Sequence, residues 1–452
     1  MAGSRAVWEG ALKQAGLISV KSFEEVLDCL YAFHLQPLPQ GRRVGIISGP
    51  GGIGVATTDR CLELGLEVPQ FSRHTVERLR KTMPRVVCGI DNPVDLTLAS
   101  LVTPRVYGDA IRILIKEERV DMLLLIAVIG GEHLRDIILE AMDGAKTKKP
   151  LVVTVKAGSM QSAAQDVSLL LASGIPVFSD AARAAKALAR LAEYAHFRAG
   201  SSGAGAKTKQ VRKATSVRKL DPIAKALREG RTILSEHESK QCLRAYGVPV
   251  TREREAYDMR TLREALSEIG YPCVIKANSP NLTHKTERGL VYVDIRNEQE
   301  AVAAFRQIAS KIKAEGAAVL VQEMIRGDRE LMLGLTRDDQ FGPCVMFGLG
   351  GIFSEALKDI SFRVAPITKL EALEMIDDIK ARSILRAFRG MPAADRDQLA
   401  ELLVKVGTMG LDQINIKEID INPVILSEGK PVAVDALIVL TPPGPALRNP
   451  LS

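Results

Sequence analysis

Residues 271–290 read YPCVIKANSPNLTHKTERGL, and the rest of the chain is organised around this stretch. Its first six residues carry the signature of a buried strand ending on Lys276, and the Asn-Ser-Pro-Asn cluster behind them is a loop signal. A lysine leaving a strand end into a polar loop is a natural phosphate contact. The loop then presents His284, one of six histidines in the chain, followed by Lys285 and a Thr-Glu-Arg-Gly exit. A neutral imidazole is nucleophilic near pH 7 without further activation, so a histidine beside such a lysine is suited to accept a phosphoryl group. Alone, the stretch reads equally as a solvated loop.

Two further stretches tip the reading. Residues 341–351 are FGPCVMFGLGG, and 418–423 are EIDINP with Asp435 thirteen residues beyond Asn422. Together with VIKANSPNLTHK, these resemble the ATP-grasp half of the nucleoside-diphosphate-forming acyl-CoA synthetases. That family contains the archaeal and bacterial relatives of succinyl-CoA synthetase, with ADP-forming acetyl-CoA synthetase as its best-known member. The resemblance keeps the same order over nearly the whole chain. It implies an α/β protein in which a flavodoxin-like parallel-sheet domain, of succinyl-CoA synthetase type, is followed by an ATP-grasp domain.

Composition agrees with that class. At 452 residues the chain holds more than one domain, because single cores seldom grow past about 250 residues. Apolar content of 46% with 36 Gly, 22 Pro and 4% aromatics suits an Ala/Val/Leu/Ile-packed α/β protein. The six cysteines form no CxxC pair and no zinc-ligand spacing, and read as reduced apolar residues of a cytoplasmic protein. No segment approaches the ~18 apolar residues of a membrane span, and the N-terminus lacks a secretory h-region. The net charge of +7 is concentrated between Arg198 and Arg231, where ten Lys/Arg face two Asp/Glu. No basic stripe interleaves with aromatics, so the excess reads as a solvated linker and not as a nucleic-acid surface.

Four segments are expected. Residues 1–38 read as two helices around a short extended stretch, the second opened by the capping box Ser22-Phe-Glu-Glu25, and resemble the tail of a preceding CoA-ligase domain. Residues 39–199 alternate strands at 44–47, 122–129, 151–155 and 175–178 with helices such as 104–115 and 181–194, which gives a parallel sheet covered on both faces. Residues 200–220 are Gly/Ser/Ala-rich and then basic, a flexible linker. Residues 221–452 form the ATP-grasp domain, entered by a second capping box, Ser235-Glu-His-Glu238, and a helix stopping at YGVPV.

Candidate site residues follow. The turn in RRVGIISGPGGIG (42–54) presents backbone N–H groups and a helix N-terminus to an anion, although tight strand-to-helix turns need glycine for geometry alone. The resemblance assigns Gly51, Gly52 and Gly54 to a helix end facing the phosphohistidine loop. It also implies that Lys276 contacts ATP phosphates, that Lys240 lies near the nucleotide, and that VLVQEM (319–324), with Gln322, Glu323 and Met324, lines the adenine. Glu330 and Arg337 carry weight in the hairpin that follows. Gly350 and Gly351 let backbone approach phosphate, with Arg363 as a charge clamp. Glu418, Asp420 and Asn422 share one strand face by alternation, and Asp435 is expected on a second strand beside it. Two oxygen ligands completed by phosphate and water suit Mg²⁺, and the resemblance points to Asn422 and Asp435.

The implied chemistry interconverts acyl-CoA, ADP and phosphate with acid, CoA and ATP through phosphorylated enzyme. His284 matches the relay histidine of the ADP-forming acetyl-CoA synthetases, which succinyl-CoA synthetases lack. In fused relatives the stretch resembling 1–38 follows a Ser-His-Thr-Gly segment bearing the first phosphohistidine. Neither that segment nor a CoA-binding domain maps onto this sequence, so CoA is expected only through a partner subunit carrying that histidine, in an oligomer. The alternatives are a catalytically incomplete nucleotide-binding remnant or regulatory protein of the family, and an ATP-grasp ligase joining a carboxylate to an amine. The relay histidine counts against the last, because direct acyl phosphate formation needs no carrier.

Overall fold

Two strands, β1 (Val44–Ser48) and β3 (Met122–Ala127), are buried at every position, as strands covered on both faces must be. The computed structural model describes residues 5–85, 89–128, 131–143, 148–155, 167–203, 220–280, 288–312, 318–327, 329–351 and 359–441. They fall into two compact units, one of residues 16–209 and one of residues 1–15 with 210–452.

In the first unit β1 and β3 join β2 (Val94–Asp95), β4 (Leu151–Val155) and β5 (Val177–Phe178) in a parallel sheet of order β2-β1-β3-β4-β5. This is the doubly wound order with a switch point at β1/β3. Alternation along β3 sends Leu123, Leu125 and Ala127 into one core and Met122, Leu124 and Ile126 into the other. After α1 (Arg5–Gln14), which belongs to the second unit, the second of these cores takes α2 (Phe23–Leu35), α3 (Gly51–Glu63) and α8 (Ala181–Gly203). The first takes α4 (Arg73–Thr82), α5 (Thr97–Val102), α6 (Val106–Leu114) and α7 (Gly131–Met142).

Polar residues pin this sheet. Asp121 accepts from Arg43 N, Nε and Nη2 at 3.0, 2.9 and 2.7 Å and fixes the starts of β1 and β3. Asn92 behaves as a surrogate strand residue: its Oδ1 accepts from Ile46 N (3.0 Å), and its Nδ2 donates to Val44 O (2.8 Å) and Pro69 O (2.9 Å). The box opening α2 is only half formed. Ser22 Oγ accepts from Glu25 N, but the Glu25 carboxylate accepts from Lys21 N and pairs with Lys186 and Arg190 of α8. Helix α8 runs to Gly203, past the expected start of the linker, and 204–219 lie outside the described residues.

The second unit holds α9 (Asp221–Arg228), α10 (Glu236–Ala245), β6 (Glu253–Ala256), α11 (Met259–Ile269), β7 (Cys273–Asn278), β8 (Val291–Ile295), α12 (Glu298–Ile312) and β9 (Ala318–Glu323). These continue into β10 (Glu330–Asp338), β11 (Gly342–Leu349), β12 (Ile360–Val364), α13 (Lys369–Asp378), α14 (Arg396–Asp412), β13 (Ile416–Ser427), β14 (Lys430–Ala433) and β15 (Leu437–Leu440). A four-stranded antiparallel sheet, β6-β9-β7-β8, is backed by α11 and α12. A six-stranded antiparallel sheet, β12-β11-β10-β13-β14 with β15 also on β13, is backed by α9, α10, α13 and α14. The 330–349 hairpin forms as expected, its turn tied by Asp338 Oδ1 to the N–H groups of Gln340 and Phe341.

Helix α1 departs from the expected 1–38 segment. Trp8 stacks edge-on against Phe341, and Gln14 Oε1 and Nε2 close on Val364 N and O of edge strand β12 at 2.9 and 3.0 Å. The segment therefore divides, with α1 in the second unit and α2 in the first.

Candidate functional site

Helix α10 starts on a complete capping box, Ser235 Oγ accepting from Glu238 N while Glu238 accepts from Ser235 N. Its first turn carries Glu236, and Lys240 stands one turn later on the same face. Lys240 is fully buried, not solvent-facing. Its Nζ donates to Thr251 Oγ1 (3.0 Å), Glu253 Oε2 (2.8 Å) and Gln322 Oε1 (2.7 Å), which uses the three N–H groups of an ammonium. Lys240 thus has no donor left for a nucleotide, and the Gln322 side chain is turned onto Lys240. Glu236 Oε1 lies 2.7 Å from Lys240 Nζ and 2.5 Å from Lys276 Nζ.

Lys276 lies within β7, which runs two residues past the expected end to Asn278; it is 4% exposed and also donates to Val434 O at 3.4 Å. Burial lowers its pKa, but Glu236, Asp435 and Glu253 outweigh burial and the net shift is upward. The ammonium therefore stays charged and, among the described residues, keeps one donor. Beside this helix His237 Nδ1 meets Glu253 Oε1 at 2.9 Å, and that hydrogen bond raises the histidine pKa.

On β13, Ile419 and Ile421 enter the core while Glu418, Asp420 and Asn422 take the opposite face, as the alternation predicts. Asp435 is not on a strand. It sits in the connector between β14 and β15, both of which pair with β13. Among the described residues Asp420 Oδ1 is buried without a hydrogen-bond partner, and burial together with Glu418 and Asp435 pushes the carboxyl up to about 6. Asn422 Oδ1 accepts from Gly351 N at 3.1 Å. Gly351 has φ +60°, and a Cβ on Gly350 would fall 2.5 Å from Leu331 O, so backbone lies against backbone at this turn. The Glu330 carboxylate lies against Gly351. Among the described residues no three His, Cys, Asp or Glu side chains are grouped to hold a metal. The oxygen-only set of Asn422, Asp435 and the unmet Asp420 oxygen nonetheless fits a cation that takes its remaining ligands from phosphate and water.

Other expected residues lie elsewhere. Arg363 is corrected: it pairs in register with Val345, hence on the core face with Leu335 and Ile419, and its guanidinium is bound to Asp378 at 2.8 Å with Glu374 at 3.8 Å. It points away from Asp420 and clamps α13. Arg337 donates to the carbonyls of Ile416, Gly410 and Gln413 and caps the end of α14. Glu323 is spent on Arg252 (2.7 and 2.8 Å), while Met324 is half-buried just past β9. In the first unit a Cβ on Gly51 would run into the Asp95 carboxylate, one on Gly54 would come 2.9 Å from Ser48 Cβ, and one on Gly52 would meet nothing within 4 Å. His284 lies outside the described residues. Glu236 was hidden in the sequence because its segment reads as a helix start; its i,i+4 spacing to Lys240 was the available signal.

A model of the ATP-grasp domain matches residues 225–440, and one of the Ligase-CoA domain matches residues 44–202. The beta subunit of acetate–CoA ligase (ADP-forming) I from Pyrococcus furiosus is 46% identical over 223 residues, covering 48% of this chain and 96% of that subunit. The chain belongs to the ADP-forming acyl-CoA synthetase family. Another member, acetate–CoA ligase (ADP-forming) I of Archaeoglobus fulgidus, is 33% identical over 449 residues, 97% of this chain and 63% of that protein. The chain thus spans less than two thirds of this longer family member. A solved acetyl-coenzyme A synthetase 1 chain from Ca. Korarchaeum cryptofilum, in complex with coenzyme A and Ca-AMPCP, is 42% identical and aligns over 48% of this chain and 98% of its own with a TM-score of 0.47. Among the described residues no helix of this family member is long and apolar enough to cross a membrane.

Proposed function

We propose that the chain provides the nucleotide half of an ADP-forming acyl-CoA synthetase, passing phosphate between ATP/ADP and a CoA site through His284. The observation that carries this reading is the convergence of Lys276, Asp435, the unmet Asp420 oxygen and the Asn422–Gly351 contact in a domain of the ATP-grasp family. Lys276 supplies a permanent positive charge for the nucleotide phosphates, and the Gly350–Gly351 turn brings backbone close without a side chain in the way. Asn422 and Asp435 would hold Mg²⁺, with Asp420 beside them, and the ion would neutralise charge on the phosphates. In the ATP-forming direction the N–P bond at His284 breaks as an O–P bond forms to the terminal oxygen of ADP, returning a neutral imidazole. CoA and the first phosphohistidine belong to a partner subunit, in keeping with the Pyrococcus furiosus relative being named as one subunit.

Titration calorimetry of ADP with and without Mg²⁺ tests the reading. Asn422→Ala and Asp435→Asn should each weaken Mg²⁺-dependent ADP binding about tenfold or more, the equivalent of about 1.4 kcal/mol, with unchanged melting. Wild-type affinity in both variants would sink this placement of the metal and phosphates.

A further inference from the structure

We propose that Glu236 is a positioning residue that sets the ammonium of Lys276 for phosphate contact, and that Lys240 and Glu253 exist to hold Glu236. The inference rests on the reading of Lys276 given above. One carboxylate oxygen, Glu236 Oε1, is shared between two ammonium groups, 2.7 Å from Lys240 and 2.5 Å from Lys276. Lys240 is saturated by Thr251, Glu253 and Gln322, so it acts as a fixed buried charge and not as a ligand contact. The second oxygen of Glu253 meets His237 Nδ1 at 2.9 Å. Charges therefore alternate along Glu253, Lys240, Glu236 and Lys276, each buried charge matched by its neighbour, as burial demands, with the His237 ring hydrogen-bonded at the Glu253 end.

The brace also joins two layers of the second unit. Helix α10 contributes Cys242 and Leu243 to the core under the six-stranded sheet, and Ile438 N donates to Ser239 Oγ at 3.1 Å. Its charged face reaches the other way, to Glu253 on β6, Lys276 on β7 and Gln322 on β9 of the four-stranded sheet. Lysine has a long flexible stem and a point charge, so its ammonium is placed only by what surrounds it. A carboxylate anchored from the opposite layer removes that freedom before the nucleotide arrives, which is where preorganisation raises affinity.

Calorimetric binding of ADP and of adenosine to the full chain, for Glu236→Gln, Glu236→Asp and Lys276→Met, tests the brace. Glu236→Gln should weaken ADP about tenfold and leave adenosine unchanged, because only the phosphate contact is disturbed. Glu236→Asp, which keeps the charge but withdraws it by one methylene, should give a smaller loss for ADP alone and covers the case in which Glu236→Gln does not fold. In the double variant Glu236→Gln/Lys276→Met, ADP should bind no more weakly than to Lys276→Met. If Lys276→Met weakens ADP while both Glu236 variants bind it as wild type does, the brace is overturned and the phosphate reading stands. Equal losses for ADP and adenosine would also overturn it, as a general packing role. If Lys276→Met leaves ADP affinity untouched, the phosphate reading fails first and the brace falls with it.

Discussion

The two units carry similar motif residues, glycine turns with nearby Asp and Asn, and use them in opposite ways. In the parallel unit these groups close on the fold itself: Asn92 fills three backbone partners, two of them on β1, Asp121 is spent on Arg43, and Asp95 lies against Gly51. In the ATP-grasp unit Asp420 Oδ1 meets no donor, and Lys276 keeps a donor among the described residues. Unspent hydrogen-bonding capacity in a buried place costs stability and persists where a ligand later uses it. The difference supports the proposal that the second unit holds the nucleotide, although both units have a glycine-rich turn.

The largest expected effect is in the parallel unit. Asn92→Ala removes the acceptor of Ile46 N and the donor to Val44 O and should cost about 3 kcal/mol, read as a lowered melting temperature with ADP affinity unchanged. Next comes Glu117, whose Oε2 accepts from Ser72 N and Oγ at the start of α4 and whose Oε1 accepts from Arg119 N. Burial works to raise its pKa, but hydrogen bonding from Thr75 first, then from Arg119 N and Ser72, prevails and holds the carboxyl at about 2, from an ordinary 4.5. Its unfolded form binds the proton first, so its contribution is complete above pH 4.5 and drains away as pH falls toward 2. Melting between those pH values should flatten in Glu117→Gln relative to wild type; a parallel pH dependence would break the assignment.

Asp420→Asn should act in the opposite sense to Asn92→Ala. Without nucleotide it relieves a buried carboxylate facing Glu418 and Asp435 and should raise stability by about 1 kcal/mol, while Mg²⁺-dependent ADP binding weakens. A loss of stability would place Asp420 among the self-satisfied groups and erase the contrast. The smallest effect is expected for Gly52→Ala, where a Cβ meets open space at a helix start: stability should move by less than about 1 kcal/mol. A loss of phosphoryl transfer in that variant without a change in melting would show that the first turn also serves an anion.

Four of the five strands of the parallel sheet were legible in the sequence as apolar runs, whereas β2, only the two residues Val94–Asp95, was not; the face shared by Asp420 and Asn422 followed from alternation. Arg363 was not legible: a basic residue beyond FGLGG looks like a phosphate clamp until the register of β12 on β11 puts it on the core face against Asp378. Lys240 was expected near the nucleotide, and its role as a buried charge was not legible because its acceptors come from Thr251, Glu253 and Gln322, up to 82 positions away. Asp435 was placed on a strand because VAVDA alternates, yet β14 ends at Ala433 and the chain must cross to β15.

The central claim is that phosphate leaves and enters the nucleotide through His284. Incubating the purified chain and a CoA-site partner with Mg²⁺ and γ-phosphate-labelled ATP, then mapping acid-labile, base-stable label, tests it most directly. Label on His284 that disappears in His284→Ala, with ADP still bound by the variant, is the predicted result. ATP bound by the assembled protein with no label on His284, or undiminished label in His284→Ala, would contradict it.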